Sequence, residues 1–122
     1  MDLQTFLIVL TSIFFIYFLT RLLEKKLTYK PIFKITDDPS TFDLEFEDIR
    51  FMSADFKKLH GWWIPHPEAI GTILYCHGNA DNMSGRAWHC KYYHDMKVNV
   101  FMFDYRGYGK SNGWSNEQGT YK

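Results

Sequence analysis

The sequence predicts an α/β fold: a β-hairpin followed by a β-α-β crossover, preceded by a single transmembrane helix. Three observations carry that prediction. An apolar run of helix length opens the chain. Two strand patterns, Thr72–Cys76 and Val98–Phe103, flank a helix pattern. A His-Gly turn, in YCHGNADN over Tyr75–Asn82, follows the first of those strands directly.

The N-terminal run, LQTFLIVLTSIFFIYFLTRLL over Leu3–Leu23, is long enough to cross roughly 30 Å of hydrocarbon as a helix. No basic stretch precedes it and no small-x-small cleavage site follows it, so it reads as an uncleaved anchor rather than a signal peptide. Arg21, Lys25, Lys26 and Lys30 against Glu24 flank its far end. The positive-inside rule then places the soluble part in the cytoplasm; the formal glycosylation sequon Asn82-Met83-Ser84 is the one sign against. Residues 1–27 are therefore assigned to the anchor and its flank, and residues 28–41, with Pro31, Asp37, Asp38 and Pro39 and no sustained period, to a linker lying along the domain.

Residues 42–122 carry the domain. Phe42, Leu44, Phe46, Ile49 and Phe51 lean toward alternation and predict a strand ending near Met52. Leu59–Ile64 returns as a second strand before Pro65 and Pro67, which makes an antiparallel hairpin. Thr72–Cys76 is a continuous apolar run of the kind covered on both faces. Gly78 is expected to take backbone angles other residues avoid, turning successive N–H groups into one anion-holding concavity. Asp81, Asn82 and Ser84 are capping types, and Ala87, Trp88, Tyr92 and Met96 predict one face of a helix over 83–96. A second strand at Val98–Phe103 completes a right-handed crossover, whose two loops share the sheet edge where α/β proteins bind ligands.

Composition narrows the function classes. At 122 residues, with 46% hydrophobic and 19% aromatic content, the chain has material for one small domain and is not of disordered composition. Fourteen Lys and Arg balance fourteen Asp and Glu, so no strong field gathers nucleic acid, and none is expected as a partner. Cys76 and Cys90 form no CxxC or Cys/His cluster; they read as small buried residues, and neither metal nor cofactor is expected.

HGWWIP, LYCHGNADN and VFMFDYRGYGKSNG, taken together, resemble the α/β-hydrolase superfamily, in particular its membrane-anchored members. The resemblance covers about Phe42 to Lys122 and implies the N-terminal part of an α/β-hydrolase fold. It implies a Ser-His-Asp hydrolase of esters, amides or thioesters, with the backbone N–H of Asn79, or as second choice Ala80, in the oxyanion hole. The hairpin turn departs from the family's Ala-Asp-Gly, reading Ala54-Asp55-Phe56.

The nucleophile is not expected within the chain. Gly109-Lys110-Ser111-Asn112-Gly113 matches the letters of G-x-S-x-G. That motif works only where a strand ends on the serine and a helix starts behind it, whereas four residues separate Asp104 from Gly109. Ser111 is thus disfavoured as a nucleophile, and GKS is no P-loop because Asp104 stands where its first glycine belongs. His60, His66, His77, His89 and His94 all precede any plausible nucleophile, against the family's order, and His77 is expected to hold the loop by hydrogen bonds, with Gly78 as its turn. Asp104 and Arg106 read as a charged pair pinning a loop or as a solvated pair, and the tryptophans as core or pocket wall. A capping box at Ser115 and Gln118 opens a helix that Lys122 cuts short.

The chain therefore reads as an N-terminal fragment that is inactive alone. It is expected to fold poorly because its parallel edge after Phe103 lies open. The other reading is a non-catalytic, membrane-tethered binding module. The partners expected are the lipid bilayer and, in a longer form, a small-molecule or acylated substrate.

Overall fold

The computed structural model describes residues 2–122. Helix α1 runs Leu3–Thr28, five residues beyond the predicted span. Asp2 caps its start by accepting the Thr5 N–H at 2.7 Å, and Lys25 and Lys26 lie in its last turn, where cations suit the helix dipole. None of its residues is buried, and it is long and apolar enough to cross a membrane.

The segment after α1 is stitched to the domain. Strand β1, Lys30–Pro31, pairs in parallel with Ala80–Asp81. Asn82 Nδ2 donates to the Ile32 and Lys34 carbonyls at 2.9 and 2.8 Å. Asn82 is fully buried, so its sequon is closed to modification in the folded chain. A 3-10 turn follows at Pro39–Phe42, capped by Asp38 and ended by Asp43 at φ +57°. That turn holds Phe42, so the first hairpin strand, β2, starts later than the alternation predicts and spans Glu47–Met52.

Strand β3, Lys58–Ile64, pairs antiparallel with β2 from Met52↔Lys58 to Glu47↔Trp63. The tight turn between them survives the loss of the family's glycine because Phe56 itself adopts φ +60°. Strands β4, Thr72–Cys76, and β6, Asn99–Asp104, complete a four-stranded sheet in the order β2-β3-β6-β4; β5 is the short Ala80–Asp81 strand. β3 and β6 are antiparallel, β4 and β6 parallel.

One face of the sheet presents Trp62, Ile64, Val100 and Met102, which pack with Leu44, Met83, Ala87 and Cys90 into the core. Burial pushes the Cys90 thiol up to about 12. The helix predicted over 83–96 is divided: a 3-10 turn at Met83–Arg86 leads into α2, Trp88–His94. Met83, Ala87 and Cys90 face the core, whereas the expected face partners Trp88, Tyr92 and Met96 are exposed.

The opposite face is lined by Phe51, Phe101 and Phe103, with Phe51 5.7 and 5.8 Å from the other two rings. Among the described residues nothing covers it fully, and Leu74 is 59% exposed. β4 is thus an edge strand open on this face, not the doubly covered strand its apolar run suggests, and Cys76 is exposed with it. The open parallel edge belongs to β4; β6, the strand ending after Phe103, lies in the interior between β3 and β4.

Candidate active site

The parallel register between β4 and β6 builds the site. Cys76 sits opposite Phe103, so the next residues, His77 and Asp104, emerge together at the sheet edge. Both are buried. Asp104 Oδ1 accepts the Met83 N–H at 2.7 Å, which ties the start of the 3-10 turn to the end of β6. His77 Nε2 lies 3.3 Å from the same oxygen. The pair makes no hydrogen bond, and Nε2 and Asp104 Oδ2 have no hydrogen-bond partner among the described residues.

His77 Nδ1 donates to the Gly78 carbonyl at 2.6 Å, and the ring packs against Tyr105 and Tyr108, with centroids 4.6 and 5.1 Å away. His77 thus bonds the loop through Nδ1, while its buried Nε2 lies beside Asp104 without a hydrogen bond. Gly78 does not supply a left-handed turn; the positive φ in this loop is at Asp81, at +69°. A Cβ at Gly78 would meet nothing within 4 Å. Its lack of a side chain instead leaves open space on the loop.

Asn79 is held from three directions. Tyr108 Oη donates to its carbonyl at 2.8 Å, Lys30 N–H donates to the same oxygen at 3.0 Å, and Asn79 Nδ2 donates to the Thr28 carbonyl at 2.6 Å. Its backbone N–H donates to no group among the described residues. Asn79 lines a cleft of about 230 Å³ with His77, Gly78, Tyr105, Tyr108 and Tyr29. Burial pushes the Tyr105 and Tyr108 phenols up to about 12, so both keep their protons at neutral pH. Ala80 is drawn into strand β5 beside Lys30.

Ser111 lies elsewhere, with its hydroxyl committed to the backbone: Oγ donates to the Asp104 carbonyl at 2.7 Å and accepts the His60 N–H at 2.9 Å. His60 Nε2 is 2.5 Å from Asp48 Oδ1, but its Nδ1 is buried without a partner, so Ser111, His60 and Asp48 do not chain into a triad. Among the described residues lining the cleft there is no serine or cysteine. No cluster of His, Cys, Asp and Glu suited to a metal ion occurs among the described residues.

Asp104 and Arg106 do not pair with each other, contrary to both sequence readings. Arg106 turns back to Asp55, with Nη2 to Oδ1 at 2.5 Å, and locks the hairpin turn to the loop after β6. That hydrogen bond, with help from Ser53, holds the Asp55 carboxyl well below the usual carboxylate range. Trp62 is core and Trp63 half-buried, while Trp88 and Trp114 are exposed.

Sequence comparison bears on the same residues. Alpha/beta hydrolase domain-containing protein WAV2 of Arabidopsis thaliana is 38% identical over 109 residues, covering 81% of this chain and 35% of that protein. The chain belongs to the α/β-hydrolase superfamily. The uncharacterized protein YfhR of Salmonella typhi is 44% identical over 80 residues, 62% of this chain and 27% of that protein. Among solved structures, the Pyrococcus furiosus esterase Pf2001 superposes with a TM-score of 0.62 at 25% identity, over 72% of this chain and 35% of that one. No family model matches the chain. The chain thus spans about a third or less of the length of the curated relatives it matches.

As part of an α/β-hydrolase, the chain carries the hairpin and the first crossover, with the loop that follows each parallel strand. Sequence reasoning missed Tyr108, Thr28 and Lys30, the residues that fix Asn79. The parallel register could have signalled His77 beside Asp104, since strands aligned at Thr72 and Asn99 end together. The hold of Tyr108 on Asn79 depends on a loop path that no periodicity encodes.

Proposed function

We propose that this chain is the anchoring and oxyanion-binding part of a membrane-anchored serine hydrolase acting on acyl esters, thioesters or amides. The serine, acid and base would come from the part of the protein that its relatives have and this chain does not span. The observation that supports the reading is the Asn79 peptide. Its carbonyl is held by Tyr108 and Lys30, the residue lines the cleft, and its N–H has no acceptor among the described residues.

In the reaction, the serine oxygen bonds to the carbonyl carbon and gives its proton to the base. The carbonyl oxygen becomes an oxyanion, which the Asn79 N–H stabilises. Collapse expels the alcohol, thiol or amine, which takes that proton; water then cleaves the acyl-enzyme to the acid and regenerates the serine. One preorganised donor of this kind typically lowers the barrier by about 3 kcal/mol. Because the donor position is fixed by the Tyr108 phenol and by hydrogen bonds to the Lys30 and Thr28 backbone, it needs little reorganisation as charge develops.

A fluorophosphonate probe tests the reading. It should label the longer product of this gene and leave the 122-residue chain unlabelled. Absence of labelling in the longer product sinks the serine-hydrolase assignment. The basic residues at the far end of the apolar run, Arg21, Lys25, Lys26 and Lys30, support a cytoplasmic domain; external protease acting on sealed cells should then spare it, and digestion reverses the orientation.

A further inference from the structure

The Asn79 N–H belongs to the Gly78–Asn79 peptide, and the other end of that peptide is held by a buried imidazole. His77 Nδ1 lies 2.6 Å from the Gly78 carbonyl oxygen. A carbonyl oxygen can only accept, so Nδ1 carries a proton. Any charge on the ring is therefore felt, across one planar amide, by the N–H proposed to meet the oxyanion.

The second ring nitrogen faces a carboxylate. Nε2 stands 3.3 Å from Asp104 Oδ1, where the His77 side chain is 2% exposed and the Asp104 side chain 0%. Were the imidazole neutral, its bare Nε2 lone pair would confront a carboxylate oxygen, two acceptors facing each other away from solvent. Among the described residues no other cation reaches that carboxylate: Arg106 turns away to Asp55, and His77 is its one ion-pair partner. Its hydrogen bonding is also thin. Met83 N–H donates to Oδ1, but Gly109 N–H goes to the Ile32 carbonyl at 2.9 Å, and Oδ2 has no partner among the described residues. A buried, ionised carboxylate needs a counter-charge, and one proton on Nε2 supplies it while ending the clash of acceptors. The rings packed on His77 belong to Tyr105 and Tyr108, whose phenols keep their protons at neutral pH; Tyr29, Tyr121 and the exposed Glu117 complete the titratable lining of the cleft.

We infer that His77 is an imidazolium paired with Asp104, and that the pair positions and polarises the oxyanion-binding peptide. Carboxylate, imidazolium, Gly78 carbonyl and Asn79 N–H act in series. The ring proton makes the bond to the Gly78 carbonyl charge-assisted, about twice as strong as a neutral one. That bond resists a flip of the peptide, so the N–H keeps one direction. It also draws electron density from the amide nitrogen, which makes the N–H a stronger donor. His77 is a positioning residue that touches no reacting atom, and its use in catalysis rests on the serine-hydrolase reading.

NMR on the full chain in detergent micelles, with isotope-labelled histidine and aspartate, reads the protonation directly. At neutral pH both ring nitrogens of His77 should resonate as N–H nitrogens. A bare Nε2 overturns the inference, as does a carboxylic-acid signal from Asp104, which would put the proton on the other partner. Asp104→Asn removes the charge and keeps the shape, since its amide oxygen can accept the Met83 N–H and its NH2 can donate to a bare Nε2. In that variant Nε2 should lose its proton and the Asn79 amide proton should move upfield, while the Met83 amide stays protected from exchange. An unmoved Asn79 amide beside a deprotonated ring overturns the polarisation. If the variant unfolds, the wild-type spectrum still decides the protonation. In the longer hydrolase proposed above, Asp104→Asn should slow fluorophosphonate labelling by about tenfold, short of the roughly hundredfold or greater loss when a whole donor is removed. Labelling at the wild-type rate overturns the positioning role. The two readings fail separately: a longer form that never reacts with the probe removes the hydrolase and leaves the imidazolium visible in the spectrum, whereas a bare Nε2 in a reactive enzyme removes only the pair.

Discussion

Ser111 Oγ donates to the Asp104 carbonyl at 2.7 Å while accepting the His60 N–H at 2.9 Å, bridging the end of β6 to β3. A hydroxyl held this way is a structural clamp. Ser111→Ala leaves two buried backbone groups unpaired and should cost about 1–3 kcal/mol of stability, read as a lower denaturant midpoint. In the longer hydrolase proposed above, fluorophosphonate labelling should be unchanged by the substitution. Loss of labelling with stability intact would make Ser111 the nucleophile after all.

Gly109 lies against the side chain of the same aspartate. A Cβ there would sit 2.0 Å from Asp104 Oδ2, and the backbone is at φ +48°. Gly109→Ala should destabilise by about 2–4 kcal/mol, from the strained backbone and the collision together. In an Asp104→Ala background the collision is gone, so the same change should cost at least about 1 kcal/mol less. A double-mutant cycle by urea unfolding measures the difference; additive costs would mean the loop shifts freely around the carboxylate.

The fold was legible wherever pattern and topology coincide. Thr72–Cys76 is a strand with the predicted bounds, and its neighbour at Asn99–Asp104 differs by a residue, because short apolar runs between turns have few alternatives. The hairpin was legible for the same reason. What failed was burial. An apolar run such as TILYC implies two covers, but Leu74 and Cys76 lack one in this chain, since pattern reports what a strand is built for and not what lies beside it. The helix face failed too: the large apolar residues Trp88, Tyr92 and Met96 share helical spacing but are exposed, and the small Ala87 and Cys90 face the sheet instead. At the site, the His-Gly turn pointed to the right loop for a mistaken reason: Gly78 is open space, and Asp81 carries the left-handed angle. The clamp on Asn79 from Thr28, Lys30 and Tyr108 was illegible, since it depends on three segments brought together only by the fold.

His60 makes stability depend on acid. Its ring is fully buried, and burial holds the imidazole below its usual 6.5 despite the opposing pull of Asp48. A His whose folded value is depressed takes up its proton first in the unfolded chain. Its contribution is therefore complete above 6.5 and is lost as pH falls from 6.5 through the folded value. Denaturant midpoints should be flat between about pH 7 and 8 and fall below about 6.5. His60→Gln should flatten that fall while lowering the plateau. Asp48 titrates lower, because the His60 hydrogen bond and nearby charges outweigh its burial and hold its carboxyl below 3.8. The two windows separate in a pH series, and a fall confined to the region below 3.8 would assign the acid sensitivity to the carboxylate instead of the imidazole.

Phe56 carries the clearest local conflict between sequence and backbone. It occupies the left-handed region at φ +60°, where a side chain costs about 1–2 kcal/mol. Its ring is 83% exposed and so recovers little by packing. Phe56→Gly removes the steric cost but adds about 0.5–1 kcal/mol of unfolded-state entropy, leaving a net gain of roughly 0.5–1 kcal/mol. Phe56→Ala separates the contributions, since it deletes the ring and keeps the strained Cβ. The glycine variant should raise the denaturant midpoint above both wild type and alanine, with an unchanged slope. If alanine matches glycine, the ring rather than the backbone is the source of the conflict, and the turn would have to be at ease in its left-handed angle.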